Sequence, residues 1–176
     1  MNLEIFKNMS AEQLRQYIAF LLWHYRVADA FWFIKVAERF DQQTAEDINT
    51  AVWSKVSAMA AKDLVQRFNI RSGGLAGFVQ AQRLFPWCIL VDYRFEQFED
   101  EVLISVPSCP TQKARLDRGL DEYACKEMHL MEFANFGRVI EPRLQVQCLF
   151  APPDDHPDNM FCKWRFFLSD QQPVAG

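Results

Sequence analysis

At Trp87 the apolar residues of this sequence stop recurring at helical spacing and begin to alternate. Before that point, Leu14, Ile18, Leu21, Leu22 and Tyr25 fall on one side of a helix. It opens on a capping box, Ser10 with Gln13, in which the hydroxyl takes an orphan backbone N–H and the Gln reaches back. No Gly or Pro interrupts Ala11 to Phe40, so the stretch reads as one long helix or as two with a kink near Arg26 to Asp29. Trp32, Val36 and Phe40 continue the stripe. Thr44 with Asp47 caps the next helix, whose core face is Ile48, Val52, Val56, Met59 and Leu64 and which ends near Asn69. Gly73-Gly74 breaks the chain, and Leu75 to Phe85 forms a short helix stopped before Pro86.

Beyond the change of period, Trp87, Ile89, Val91, Tyr93 and Phe95 point one way along an expected strand. A turn around Gln97 to Asp100 leads to a second strand with Val102, Ile104 and Val106, which makes a hairpin. Pro110 suits the first position of a helix. Asp121 can cap a second helical piece carrying Cys125, Met128, Met131, Phe133 and Phe136, which Gly137 and Pro142 end. Two final strands follow. Leu144, Val146, Cys148 and Phe150 share one face, and Cys162, Trp164, Phe166 and Leu168 share a face of the returning strand. APPDDHPDN between them is a loop by composition, and the tail QQPVAG frays.

These elements predict an α+β fold with N-terminal helices packed on an antiparallel sheet of about four strands, and a helix inserted between two hairpins. The chain reads as one domain over 1–176, with a helical half at 1–85 and a sheet and cysteine-bearing half at 86–170. A net charge of -4 and the lack of a Lys/Arg block argue against nucleic acid as the main partner. The most apolar run, Ile18 to Trp23, is too short to span a bilayer, and no signal core is present. The expectation is a cytoplasmic protein that spans no membrane.

Five cysteines in an unsecreted chain point to free thiols or metal ligands rather than a disulfide frame. Four of them, Cys109, Cys125, Cys148 and Cys162, fall in the second half of the sequence. If Cys148 pairs across from Cys162, then Val146 meets Trp164, Leu144 meets Phe166, and the apolar faces agree. A helix on that face could present Cys125. Converging thiolates form a soft donor set suited to zinc, and an iron–sulfur cluster uses the same four thiolates. Cys109, His129 or a carboxylate could be the fourth ligand, with His129 one turn after Cys125. The spacing equally allows buried cysteines acting as small hydrophobes, or a redox disulfide between the strand thiols. Cys109 before Pro110 has its own reading as a nucleophile, because a helix start favours thiolate and His129 or His156 could act as base.

The pattern WFIKVAERF with AEDINTAVW, then SCPTQKARLDRGLDEYACK, then QCLFAPPDDHPDNMFCKWRF resembles a family of small bacterial cytosolic proteins of unknown function. More distantly, the C-terminal half resembles the 4-vinyl reductase-like sensor domain. There a helix cysteine and two cysteines on adjacent strands bind zinc beside a pocket for a small hydrophobic effector. That resemblance implies Cys125 as the helix cysteine and Cys148 and Cys162 as the strand cysteines. Gln145 stands where that family often has a glutamate, which leaves Cys109 as the substitute ligand. The chain is also similar to L-2-amino-thiazoline-4-carboxylic acid hydrolase-like proteins, which implies a hydrolase of small cyclic or amide substrates with Cys109 as nucleophile. The leading expectation is a non-catalytic domain that binds structural zinc beside a small-molecule pocket and acts as a sensor or binding module. Its aromatic helices also suit a homodimer.

Overall fold

The computed structural model describes residues 2–91 and 93–169. The chain divides into two compact units, Met1–Ala45 and Glu46–Gly176. In the first, a 3-10 turn at Glu4–Phe6 leads into α1 (Ala11–Arg39), a single 29-residue helix. The expected capping box is present: Ser10 Oγ accepts from the Gln13 N–H at 3.2 Å, and Gln13 Oε1 accepts from the Ser10 N–H at 2.8 Å. No residue of α1 is buried.

Helix α2 (Gln42–Arg67) carries the chain from the first unit into the second. Its cap is Asp41 rather than Thr44. The Asp41 carboxylate accepts the Thr44 N–H at 2.6 Å and its carbonyl takes the Ala45 N–H. The expected core face of α2 is also wrong. Ile48, Val52, Val56 and Met59 are exposed, whereas Trp53, Ser57 and Ala61 are buried. Ser57 and Ala61 are small residues, so the covered side of α2 is not its most hydrophobic stripe.

In the second unit, α3 (Gly74–Gln82) begins where Gly73-Gly74 breaks the chain. The expected strand from Trp87 is largely replaced by helix α4 (Pro86–Val91). Pro86 fits the first turn of a helix, and a short apolar run reads equally well as helix or strand. Strand β1 (Arg94–Gln97) therefore begins late and is short. It pairs antiparallel with β2 (Glu101–Val106), Phe95 opposite Ile104.

Helices α5 (Pro110–Leu116) and α6 (Lys126–Ile140) follow, then the hairpin of β3 (Leu144–Phe150) and β4 (Cys162–Leu168). The four strands form one antiparallel sheet in the order β1-β2-β4-β3. This is the α+β fold expected, with α5 and α6 inserted between two hairpins. Residues 121–125 are not helical, so Asp121 caps nothing. Gly137 lies within α6 rather than at its end: a Cβ there would meet Leu144 Cδ2 at 2.5 Å, so the glycine lets the β3 start pack against the helix.

The core of this unit lies on the sheet face made by Val102, Ile104, Val106, Cys162, Trp164 and Phe166, all buried. Phe133 of α6 meets Trp164 and Phe166 edge-on, at 5.3 and 5.2 Å between centroids. Phe78 of α3 lies 4.6 Å from Phe166. The β3–β4 register differs from expectation by two residues. Cys148 stands opposite Trp164, and Cys162 stands opposite Val106 of β2. A slip of two keeps each side chain on its own face, so the apolar faces still agree while the two thiols no longer face each other.

Candidate functional site

All five cysteines are free thiols. Three of them come from separate elements and lie within electrostatic reach of one another. Cys109 holds the N-cap position of α5, extended by the following proline. Cys125 holds the same position on α6, and Cys162 opens β4. Each of the three thiols is close enough for a charge on one to raise the pKa of another: Cys109 and Cys162 act on Cys125, and Cys109 acts on Cys162. Cys148, half-buried on β3, reaches Cys162.

Burial is the first cause of every shift. It lifts Cys125 well above the usual thiol range, with its thiol neighbours adding to it. Cys162 is pushed up to about 12 by burial, against a contribution from Trp164 that lowers it. Cys148 is pushed up to about 11, with Lys126 opposing and Asp154 adding. Cys109 is also raised. The Thr111 and Gln112 N–H groups at the start of α5 pull it down, as a helix start should, but burial wins. These groups are protonated thiols at neutral pH.

Trp164 is fully buried, and its Nε1–H has no hydrogen-bond partner of normal geometry. Its influence on Cys162 places it beside that sulfur without a formed bond. Burial raises the pKa of Tyr93 strongly, and charge on Glu132, Cys162, Cys109 or Cys88 would raise it further. Cys88, buried in α4, belongs to the same neighbourhood.

His129 follows Cys125 by one helical turn, its N–H bonded to the Cys125 carbonyl at 3.0 Å. Its Nδ1 lies 2.6 Å from Oε2 of Glu132, which is 2% exposed. The ring stacks on Phe133 at 5.7 Å and meets Trp164 edge-on. The Glu132 contact fixes the ring through Nδ1, as a carboxylate does for an oriented metal or base histidine.

His156 is held by two contacts. Its Nε2 is 2.9 Å from Glu122 and its Nδ1 3.1 Å from the Pro157 carbonyl. The loop that carries it is fastened again through Asp154, which pairs with Lys126 at 2.8 Å while the Lys126 N–H bonds Pro152. Lys126 holds Asp154 below the usual carboxylate range. Among the described residues no hydrogen bond joins Cys109 to His129 or His156.

The segment before Cys125 is held by a side chain that sequence reasoning passed over. Gln112, 1% exposed, accepts the Tyr123 N–H and donates to the Tyr123 carbonyl, both at 2.8 Å. Its Nε2 is also 3.5 Å from the Cys125 sulfur. Gln112 stands one turn after Cys109, which was the available signal. Tyr123 completes the link by accepting from Asn49 at 2.9 Å. As arranged, no group of three or more His, Cys, Asp or Glu side chains among the described residues has metal-holding geometry. None of the helices is long and apolar enough to cross a membrane, again among the described residues.

The chain matches one protein family over residues 7–168, described as "Family of unknown function (DUF6125)". The protein belongs to that family. No curated protein matches it. Membership carries no assigned activity, so the function of this DUF6125 domain has to be argued from its own residues.

Proposed function

We propose that this domain is a non-catalytic binding module that takes a soft divalent metal, zinc by first choice, on Cys109, Cys125 and Cys162 with Cys148 beside them. One observation carries the reading: three thiols from three elements lie within electrostatic reach of one another in an apolar interior. Three thiolates there would repel, so the metal-free protein keeps them protonated. A dication reverses that balance, converting the repulsion into a ligand set and releasing protons as it binds. Sulfur–zinc bonds of about 2.3 Å require the side chains to close further around the ion. His129, oriented by Glu132, is the nitrogen donor nearest in sequence to Cys125. The resemblance to 4-vinyl reductase-like sensor domains supports a zinc that ties α6 to the β3–β4 hairpin, and a sensing role with a small hydrophobic effector.

The hydrolase reading gains nothing from the geometry. Cys109 is pushed toward the thiol, and among the described residues no hydrogen bond joins it to His129 or His156.

Anaerobically purified protein, loaded with zinc and desalted, should retain about one equivalent by elemental analysis, with its four thiols protected from titration. Cobalt in its place should give thiolate charge-transfer absorption, and Cys125→Ser or Cys162→Ser should abolish it while Cys88→Ser does not. Less than about half an equivalent, with all thiols open to titration, would reduce the cluster to ordinary buried cysteines.

A further inference from the structure

We infer that Gln112 and Trp164 are positioning residues of the proposed metal centre, whose side-chain N–H groups hydrogen-bond the sulfurs of Cys125 and Cys162 once a metal has displaced the thiol protons to solvent. The inference rests on the metal reading above. It goes further by naming the groups that carry the centre's excess charge.

The Gln112 amide is oriented by two bonds. Its Oε1 accepts the Tyr123 N–H and its Nε2 donates to the Tyr123 carbonyl, both at 2.8 Å. Turning the amide over would set oxygen against oxygen and N–H against N–H, so its direction is settled by the backbone it holds. One Nε2 hydrogen is taken by the carbonyl. The other is left for Cys125 Sγ, 3.5 Å away. Gln112 and Cys125 are both buried, which keeps this contact away from bulk water.

Trp164 is the second donor. Its side chain is fully buried and its Nε1–H has no partner. An orphan donor in an apolar interior is destabilising until an acceptor forms. Cys162 stands two residues earlier on the same buried face of β4, about 7 Å along the strand. A neutral thiol is a weak acceptor, so neither donor gains much from the metal-free protein. A thiolate is a charged acceptor, and bonds to it are roughly twice as strong.

The charge count explains why such donors are needed. A dication on the thiolates of Cys109, Cys125 and Cys162 leaves one excess negative charge, and Cys148 would add a second. In an apolar interior that excess has to be met by fixed dipoles or cations. The Thr111 and Gln112 backbone N–H groups act on Cys109, and Lys126 acts on Cys148. The carboxylates that oppose them are held elsewhere. Glu122, which acts on Cys109, lies 2.9 Å from His156 Nε2, and Asp154, which acts on Cys148, pairs with Lys126 at 2.8 Å.

The full chain, isotope-labelled in nitrogen and loaded with an NMR-active cadmium isotope in place of zinc, tests this. A hydrogen bond to a metal-bound sulfur passes scalar coupling from the metal to the donor proton. The Trp164 indole proton and one Gln112 amide proton should couple to cadmium, and no other indole proton should. Trp164→Phe removes the N–H and keeps an aromatic ring. It should weaken cadmium binding roughly 10- to 100-fold, as loss of a hydrogen bond to a charged group does. It should also move the cobalt thiolate charge-transfer band to longer wavelength, because a thiolate without its donor gives up charge more easily. Phe166→Leu, a loss from the same buried face, should leave that band in place. Should Trp164→Phe fail to fold, the couplings in the unaltered protein still decide. Sulfur-bound cadmium with neither coupling overturns the inference and leaves the metal reading standing. Coupling to one proton alone removes the other residue from the assignment, and no bound cadmium overturns both readings.

Discussion

Gln112 is the side chain on which the approach to Cys125 depends. The stretch from Leu120 to Ala124 has no helix or strand to satisfy its backbone. At Tyr123, 6% exposed, the Gln112 amide does what a neighbouring strand would do, accepting the N–H and supplying a donor to the carbonyl, each at 2.8 Å. Gln112→Leu keeps the shape and removes both partners. Each orphaned buried group costs about 1–3 kcal/mol, so the loss is roughly 2–6 kcal/mol before a small return from the added apolar surface. Urea unfolding followed by tryptophan fluorescence should show a fall of that size. Gln112→Glu gives the sharper test. An ionised carboxylate still accepts the Tyr123 N–H but faces the carbonyl without a proton. A neutral carboxyl restores both bonds. Burial and that carbonyl raise the folded-state pKa of the new Glu above its unfolded value of about 4.3. Its contribution is then complete below the unfolded pKa and is lost as pH rises through the folded one. Gln112→Glu should therefore be strongly destabilised at pH 7 and approach the parent as the solution is acidified. A Gln112→Leu variant within about 1 kcal/mol of the parent, or a Gln112→Glu deficit that does not change with pH, would refute the account.

Three further outcomes follow from the same unit. At Gly77 a Cβ would lie 1.9 Å from the Ser72 carbonyl oxygen, which is backbone, whereas at Gly137 it would meet only the end of the Leu144 side chain at 2.5 Å. Gly137→Ala should cost about 1–3 kcal/mol and Gly77→Ala distinctly more, and chemical denaturation giving the reverse order would contradict the packing described. At His156 burial works to lower the pKa, but the Glu122 carboxylate and the Pro157 and Met160 carbonyls outweigh it and the net shift is upward. The pair's stabilisation is complete below the unfolded histidine pKa of about 6.5 and declines as pH rises through the higher folded value, so Glu122→Gln should flatten the urea midpoint against pH there, and overlapping profiles would refute it. Iodoacetamide should label Cys109 slowly at neutral pH and faster only in alkali, because burial holds it as a thiol; rapid labelling at neutral pH would reverse the assignment.

The sequence was a good guide to features set by local chemistry and a poor one where packing decided. The Ser10–Gln13 box needs only residues three apart, and it formed as read. Of the apolar residues expected on α6, Met128, Phe133 and Phe136 are buried, whereas Met131 is exposed and Cys125 stands at the N-cap. On α2 the same method chose the wrong side. Period finds an apolar stripe, but here the buried side carries Ser57 and Ala61 beside Trp53, and small residues leave little mark in a hydrophobic pattern. At Trp87 a run of six residues was too short for period to distinguish a helix that opens on Pro86 from a strand. The hairpin shows the limit most clearly. Alternation fixes which face a residue takes, and Cys162, Trp164 and Phe166 took the buried one. The offset between strands is set by the turn only when the turn is tight. Here a long loop and an irregularity between Cys148 and Phe150 leave it free by two residues.

That two-residue freedom decides which thiols form the group. With Cys148 opposite Trp164, Cys162 has Cys148 within electrostatic reach along with the two thiols delivered by helix starts, Cys109 and Cys125. A helix start by itself favours the thiolate. Yet α5 is only seven residues long, and its Thr111 and Gln112 N–H groups lose to burial at Cys109. At Cys125 the Gln112 amide lowers the pKa, but burial and the other thiols raise it further. The same burial that silences these sulfurs as nucleophiles makes their protons the quantity a bound cation would displace. A nucleophile needs a depressed pKa before its substrate arrives, whereas a ligand set can wait for the metal to depress it. On the proposed reading, raised thiols within electrostatic reach of one another suit a site that waits for its metal.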